Sequence, residues 1–198
     1  MVRTMKSFKQ FIIEGLAQDL IIVDVQKAYA KNINFDLYEF AKFITTEPFR
    51  KKLYLYNGPE LGYGNYGIEV INWISEHIDY DEEIMEPISR MKFVDKGYGF
   101  FRSLMDAGLD LEEIVKLIRY MYQNNITDSR DIEDETYEEL GIDNPGEDGI
   151  WIPEILEYLE DYDNIVLCGG GKTECLLEVE LCLKALNKSY KRIDKFTY

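Results

Sequence analysis

At 198 residues, 46% hydrophobic and 14% aromatic, the chain can bury one sizeable core without calling for a second domain. No apolar stretch approaches the ~20 residues that span a bilayer, and the N-terminus lacks a secretory apolar core with a small-residue cleavage site, so the expectation is a cytoplasmic protein without a membrane partner. A net charge of −16 repels phosphate backbones and argues against direct nucleic-acid binding, while Cys168, Cys175 and Cys182, odd in number and seven apart, fit neither a disulfide framework nor a C-x-x-C zinc pattern and read as reduced thiols.

Residues 1–18 precede the first predicted strand, and residues 19–198 read as a single domain. Leu20-Ile21-Ile22-Val23-Asp24 is a continuous apolar run ending in a carboxylate, the pattern of a parallel strand covered on both faces. A helix is predicted from Phe35 to Ile44. Lys52 to Tyr56 forms the second strand, closed by the turn residues Asn57-Gly58-Pro59. Tyr66 to Ile78 follows as an amphipathic helix with Ile68, Ile71, Trp73, Ile74 and Ile78 on its apolar positions.

Met91 to Val94 is the third strand. Tyr98 to Ala107 and Leu111 to Gln123 are helical, with weaker helices near Asp131 to Leu140 and Ile152 to Leu159. The fourth strand, Asn164 to Cys168, runs into Gly169-Gly170-Gly171 and a helix from Thr173 to Leu186, and Tyr190 to Ile193 makes the last strand. Strands alternating with helices predict an α/β fold, three-layer αβα with a mainly parallel five- or six-stranded sheet. An acidic helical insertion at about 109–163 interrupts the alternation. Between Asp128 and Asp163 there are fifteen Asp or Glu residues and one Arg, so nearly all of the excess charge lies there and reads first as a solvated helical face.

Asp24, Lys96 and Cys175 each stand where a predicted strand gives way to a turn and then a helix. In an open parallel sheet such turns converge on one crevice at the carboxyl ends of the strands. A carboxylate, an ammonium and a thiol meeting there form a nucleophilic hydrolase site. Taken singly each residue has a plainer role, as a helix cap, a solvated lysine or a small packing side chain, and Cys168 and Cys182 read as packing residues.

The three segments carry a resemblance. Leu20 to Asp24 followed by Gln26 and Tyr29, then Val94-Asp95-Lys96-Gly97-Tyr98-Gly99-Phe100-Phe101, then Val166 to Leu177 with Ala185 further along the helix, together resemble the isochorismatase-like cysteine hydrolases. The resemblance implies a Rossmann-like fold of that family and a cysteine-dependent hydrolase (an amidohydrolase) acting on a small amide, ureide or related C–N bond through a thioester. It assigns Cys175 as nucleophile at a helix N-terminus, a position that favours the thiolate. Asp24 becomes base and then acid, Lys96 balances the charge, and the backbone around Gly170, Gly171, Glu174 and Cys175 receives the oxyanion. Relatives of this fold form dimers or tetramers.

The departures from the family are equally specific. Nicotinamidases of this fold hold a metal with an Asp and histidines near the second strand, whereas the only histidine here, His77, falls late in a helix and reads as a surface residue. Neither a metal nor a cofactor is expected. Gly171-Lys172-Thr173 fails the Walker spacing, because its first glycine would fall on Val166. Met5 to Glu14 reads either as an amphipathic helix packing Phe8, Phe11 and Ile12, or as a leader similar to those of internal proteins of large tailed bacteriophages, cut after Ile12-Ile13-Glu14. The leader reading implies location in the host cytoplasm or the virion interior. It brings a second function class, an inactive virion or host-interaction protein that keeps the hydrolase fold and binds a protein partner through its acidic insert.

Overall fold

In the computed structural model residues 18–58, 66–97 and 99–198 are described, and the leader segment lies outside them. Five strands, β1 (Asp19–Val23), β2 (Lys52–Tyr56), β3 (Lys92–Asp95), β4 (Ile165–Gly169) and β5 (Tyr190–Arg192), form one sheet in the order β3-β2-β1-β4-β5. Every pairing is parallel. Eight α-helices accompany them among the described residues. In chain order they are α1 (Leu37–Thr46), α2 (Tyr66–His77), α3 (Glu82–Ser89), α4 (Phe101–Asp106), α5 (Leu111–Gln123), α6 (Asp134–Leu140), α7 (Ile155–Leu159) and α8 (Cys175–Ala185).

The alternation of side chains along the central strands sorts these helices into two layers. Ile21 and Val23 of β1, Leu53 and Leu55 of β2, and Ile165 and Leu167 of β4 point into a core closed by α4 to α8. Leu20, Ile22, Tyr54, Val166 and Cys168 point the other way, against α1 to α3. All five residues of β1 are buried, which accounts for its unbroken apolar run. The sheet is therefore sandwiched between helices, with its strand order reversing between β1 and β4.

Local sequence decided several boundaries. Asp36 caps α1 by accepting from Glu39 N–H at 2.8 Å, and Asp110 with Glu113 forms a capping box at the start of α5. The helix α3 has no counterpart in the predicted elements. It is short, carries Pro87 in its second turn and buries only Ile84, Met85 and Ile88, so its periodicity is hidden in an acidic stretch. The acidic segment is built into the domain: α5 packs Ile114, Leu117, Ile118 and Met121 against the core, and Ile132 and Tyr137 are buried while Glu133, Asp134, Glu135, Glu138 and Glu139 face water.

The central strand starts one residue earlier than its apolar run. Asp19, fully buried, accepts from Arg50 through both carboxylate oxygens and from Asp163 N–H at 2.8 Å, tying the start of β1 to the entry into β2 and the approach to β4. Burial pushes its carboxyl up, but the Arg50 and Asp163 hydrogen bonds outweigh that and hold it below the ordinary carboxylate value. A depressed folded-state value means stability that is present above pH ~4 and lost as the pH falls through the folded value. Asp19→Ala is expected to lower unfolding stability at pH 7 by about 3 kcal/mol, with the gap to the native chain shrinking in acid, as urea titrations at pH 7 and below pH 4 would show.

Candidate active site

The switch in strand order between β1 and β4 opens a crevice at their carboxyl ends, and the flanking strand exits deliver one polar residue each. At the β1 exit Asp24 adopts a left-handed backbone conformation (φ 49°), which a non-glycine residue takes up only when its surroundings hold it there. Its N–H donates to Leu55 O and its carbonyl accepts from the Tyr198 hydroxyl, both at 2.9 Å, so the turn is clamped from two sides. The carboxylate is fully buried.

Lys96 arrives from the exit of β3, its N–H continuing the ladder to Tyr56 O at 2.9 Å. β2 lies between β3 and β1, a gap of roughly 10 Å that a long side chain can bridge. Lys96 Nζ reaches 3.3 Å from Asp24 Oδ2 and 2.7 Å from Glu178 Oε2, with its side chain 1% exposed. Cys175 comes from the far side of β1. Gly169 and Gly170, both at positive φ, turn the chain there, and a Cβ on Gly169 would lie 2.2 Å from Val23 O, so only glycine allows β4 to pass this close to β1. The turn ends in α8, whose first residue is Cys175, with its thiol close enough to the Asp24 carboxyl for each to shift the other's titration.

Asp24, Lys96 and Cys175 thus meet in one cluster. Glu178, one turn beyond Cys175 on α8, joins them and was not foreseen. It is 1% exposed, bonds Lys96 through one oxygen and accepts from Phe100 N–H at 3.0 Å through the other. A signal for it existed: a glutamate three residues after the nucleophile candidate, inside the densely buried helix Cys175–Ala185.

Two buried carboxyls share one ammonium, and the titration of the cluster follows from that. Burial alone would lower the Lys96 value, yet the charges of Asp24 and Glu178 raise it, so the ammonium stays charged. Burial raises both carboxyls in spite of Lys96. Burial and then the charge of Asp24 push the Cys175 thiol up to about 12, although Lys96 opposes them. The expected preference of the helix N-terminus for a thiolate is overridden, first by burial and then by the charge of Asp24. At rest Cys175 is a protonated thiol beside the Asp24 carboxyl.

The backbone residues expected to receive an oxyanion divide. Gly171 O accepts from both Glu174 N–H and Leu176 N–H, at 3.1 Å each, so Glu174 N–H is committed within the turn and its side chain pairs with Arg102 at the surface. Gly170 O accepts from Tyr198 N–H at 3.2 Å. The N–H groups of Gly170, Gly171 and Cys175 make no hydrogen bond among the described residues and remain the available donors.

Around the cluster, Gln26 clasps the main chain of Asn57 at the β2 exit, accepting from its N–H at 3.0 Å and donating to its carbonyl at 3.2 Å. Asn57 Nδ2 donates to the Tyr29 hydroxyl at 3.0 Å. Burial and the charge of Asp24 raise the Tyr29 hydroxyl to about 12. On the β3 side, Ile150 to Glu154 of the acidic segment faces the loop after β3 across a groove of about 540 Å³ that includes Lys96, Phe100, Ser103 and Trp151. His77, at the end of α2, is exposed and contacts Trp73 O at 2.8 Å, away from the crevice. Among the described residues no group of three or more His, Cys, Asp or Glu could hold a metal ion, and no helix is long and apolar enough to cross a membrane.

Fold and site define a doubly wound α/β protein with a buried carboxylate, ammonium and thiol cluster at its topological switch point. Comparison with protein-family models, curated proteins and solved structures finds no match for the chain.

Asp24→Asn removes both the nearest negative charge and the acceptor of the thiol proton, so it should lower the Cys175 value by about one unit or more. Alkylation by iodoacetamide, followed by mass spectrometry across pH 7 to 11, is expected to show Cys175 slower than an ordinary thiol at pH 8 in the native chain and faster in Asp24→Asn. Cys168 and Cys182, both buried, serve as internal controls.

Proposed function

We propose that the protein is a cysteine-dependent hydrolase of a small amide, ureide or related C–N bond, with the fold and triad of the isochorismatase-like family. One observation carries the reading: three strand exits bring Cys175 against Asp24 and Asp24 against Lys96, in the order the chemistry requires. A structural cluster has little use for this arrangement, since burying two carboxylates and an ammonium costs several kcal/mol per ion before any pairing is recovered. Perturbed titratable groups gathered at a switch-point crevice mark a functional site.

In this mechanism the Cys175 sulfur bonds to the substrate's acyl carbon while its proton passes to Asp24. Attack and proton transfer are coupled, because a thiol with a value of about 12 is not ionised beforehand. The N–H groups of Gly171 and Cys175 face the developing oxyanion. As the tetrahedral centre collapses, the C–N bond breaks and Asp24 returns the proton to the departing nitrogen, leaving a thioester. Water then attacks the thioester carbon, giving its proton to Asp24; the C–S bond breaks and the thiol is restored. Lys96 and Glu178 keep the site's charge constant through both halves. Because Lys96 is held by Glu178 as well as Asp24, the ammonium stays in place when Asp24 is transiently neutral.

Ammonia release from a panel of small primary amides and ureides is the test. The native chain should turn over at least one of them, with a mass increase on Cys175 that corresponds to the acyl group. Cys175→Ala should abolish both signals, and Asp24→Asn should cut kcat by roughly 10²-fold or more. The rate should fall in acid as Asp24 becomes protonated, with a midpoint above the ordinary carboxylate value because burial raises that group. Absence of both release and adduct across the panel would remove the hydrolase reading.

A further inference from the structure

Among the described residues, three buried side-chain oxygens make no hydrogen bond, Asp24 Oδ1, Asp24 Oδ2 and Asn57 Oδ1. The Asp24 carboxyl has the Lys96 ammonium 3.3 Å away, so Asn57 Oδ1 is the one with no donor or cation assigned to it. Asp24 follows β1 and Asn57 follows β2, and these strands are neighbours, so Asn57 and the charged cluster share the carboxyl end of the sheet. A buried acceptor without a donor costs about 1–3 kcal/mol, and such a group calls for a role or for a partner from outside the chain.

Asn57 is 5% exposed and held from three directions. Gln26 bonds both its N–H and its carbonyl, and the Tyr29 hydroxyl takes a proton of its Nδ2, which turns Oδ1 away from Tyr29. In the sheet it stands between Lys96, on the β3 side, and Asp24, on the β1 side. The Lys96 side chain bridges across this same strand to reach Asp24. Nothing in the three-residue mechanism uses Asn57.

We infer that Asn57 selects a nitrogen leaving group, its Oδ1 accepting an N–H of the scissile amide or ureide. The inference rests on the hydrolase reading and assigns the residue that enforces its preference for nitrogen over oxygen leaving groups. An amide nitrogen offers the donor that Asn57 lacks, whereas the oxygen of an ester or ether would set lone pairs against lone pairs. Sites built to bond a donor reject analogues without it far more strongly than apolar pockets reject a missing methylene. The same contact is useful in the chemistry. With one N–H held by Asn57, the lone pair that forms as the nitrogen pyramidalises is kept facing Asp24, which returns the proton as the C–N bond breaks.

The test separates this inference from the reading beneath it. In Cys175→Ala, which binds without reacting, dissociation constants are measured by ligand-observed NMR for matched pairs: acetamide with methyl acetate, benzamide with methyl benzoate, glycinamide with glycine methyl ester. At least one amide should bind about tenfold or more tighter than its ester, and Asn57→Leu, added to Cys175→Ala, should erase that preference. If Asn57→Leu does not fold, the pairs are compared in Tyr29→Phe, again added to Cys175→Ala. Losing the hydroxyl that fixes the amide should weaken the preference. Esters binding as well as amides, no pair binding at all, or a preference unchanged by these substitutions would overturn the inference. An amide preference that depends on Asn57, in a native chain with no turnover and no Cys175 adduct, would instead sink the hydrolase reading and leave the subsite standing.

Discussion

Lys96 holds the candidate site together. Its ammonium, 3.3 Å from Asp24 and 2.7 Å from Glu178, joins side chains from β3, β1 and α8 that share no segment of the chain. Without it, two buried carboxylates would repel one another in a medium that screens poorly, and burial would push both carboxyls up unopposed. With it, that rise is opposed at both. The thiol stays protonated because it is largely buried and beside Asp24, whose ammonium partner is shared with Glu178. In the proposed mechanism the sulfur therefore attacks only as its proton leaves.

The position of that ammonium depends on the sheet. Parallel pairing fixes the strands at constant spacing, and the reversal of order at β1 leaves a gap where no crossover covers the carboxyl ends. Two left-handed turns aim the reacting groups into it. Gly169 and Gly170 bring α8 back towards β1, and Asp24 bends the chain immediately after β1. The surrounding contacts hold these turns in place: Tyr198 bonds the Asp24 carbonyl, Tyr54 donates to Val25 O at 2.6 Å, and Gln26 joins the exits of β1 and β2. A strained residue needs such support, and here it comes from the C-terminal residue and from β2 with its exit.

Much of the architecture could be read along the sequence. β2 and α5 have the boundaries their patterns predict, and the sheet has five strands, the lower of the two numbers expected. The differences have local causes. α3 was missed because Pro87 and flanking acids mask a short apolar face, and α8 starts at Cys175 instead of Thr173 because Glu174 takes a non-helical conformation (φ −133°, ψ −105°). Within the acidic segment, α5 packs as part of the layer, since Ile114, Leu117, Ile118 and Met121 complete the core that Ile21 and Val23 begin. Periodicity reports that a face is apolar and is silent about which element covers it.

The sequence by itself determined the alternation of strands and helices, the burial of β1 on both faces, and the placing of Asp24, Lys96 and Cys175 at strand ends, because these follow from local pattern and from glycine and carboxylate chemistry at turns. Only the tertiary structure decided that Glu178 shares Lys96 with Asp24, that the resting thiol is protonated, that Glu174 N–H is occupied, and that Asn57 Oδ1 is buried without a donor. Each of these depends on distances between residues far apart in the chain. A charge acts on whatever lies within a few ångströms of it, and that neighbourhood exists only once the strands are in register.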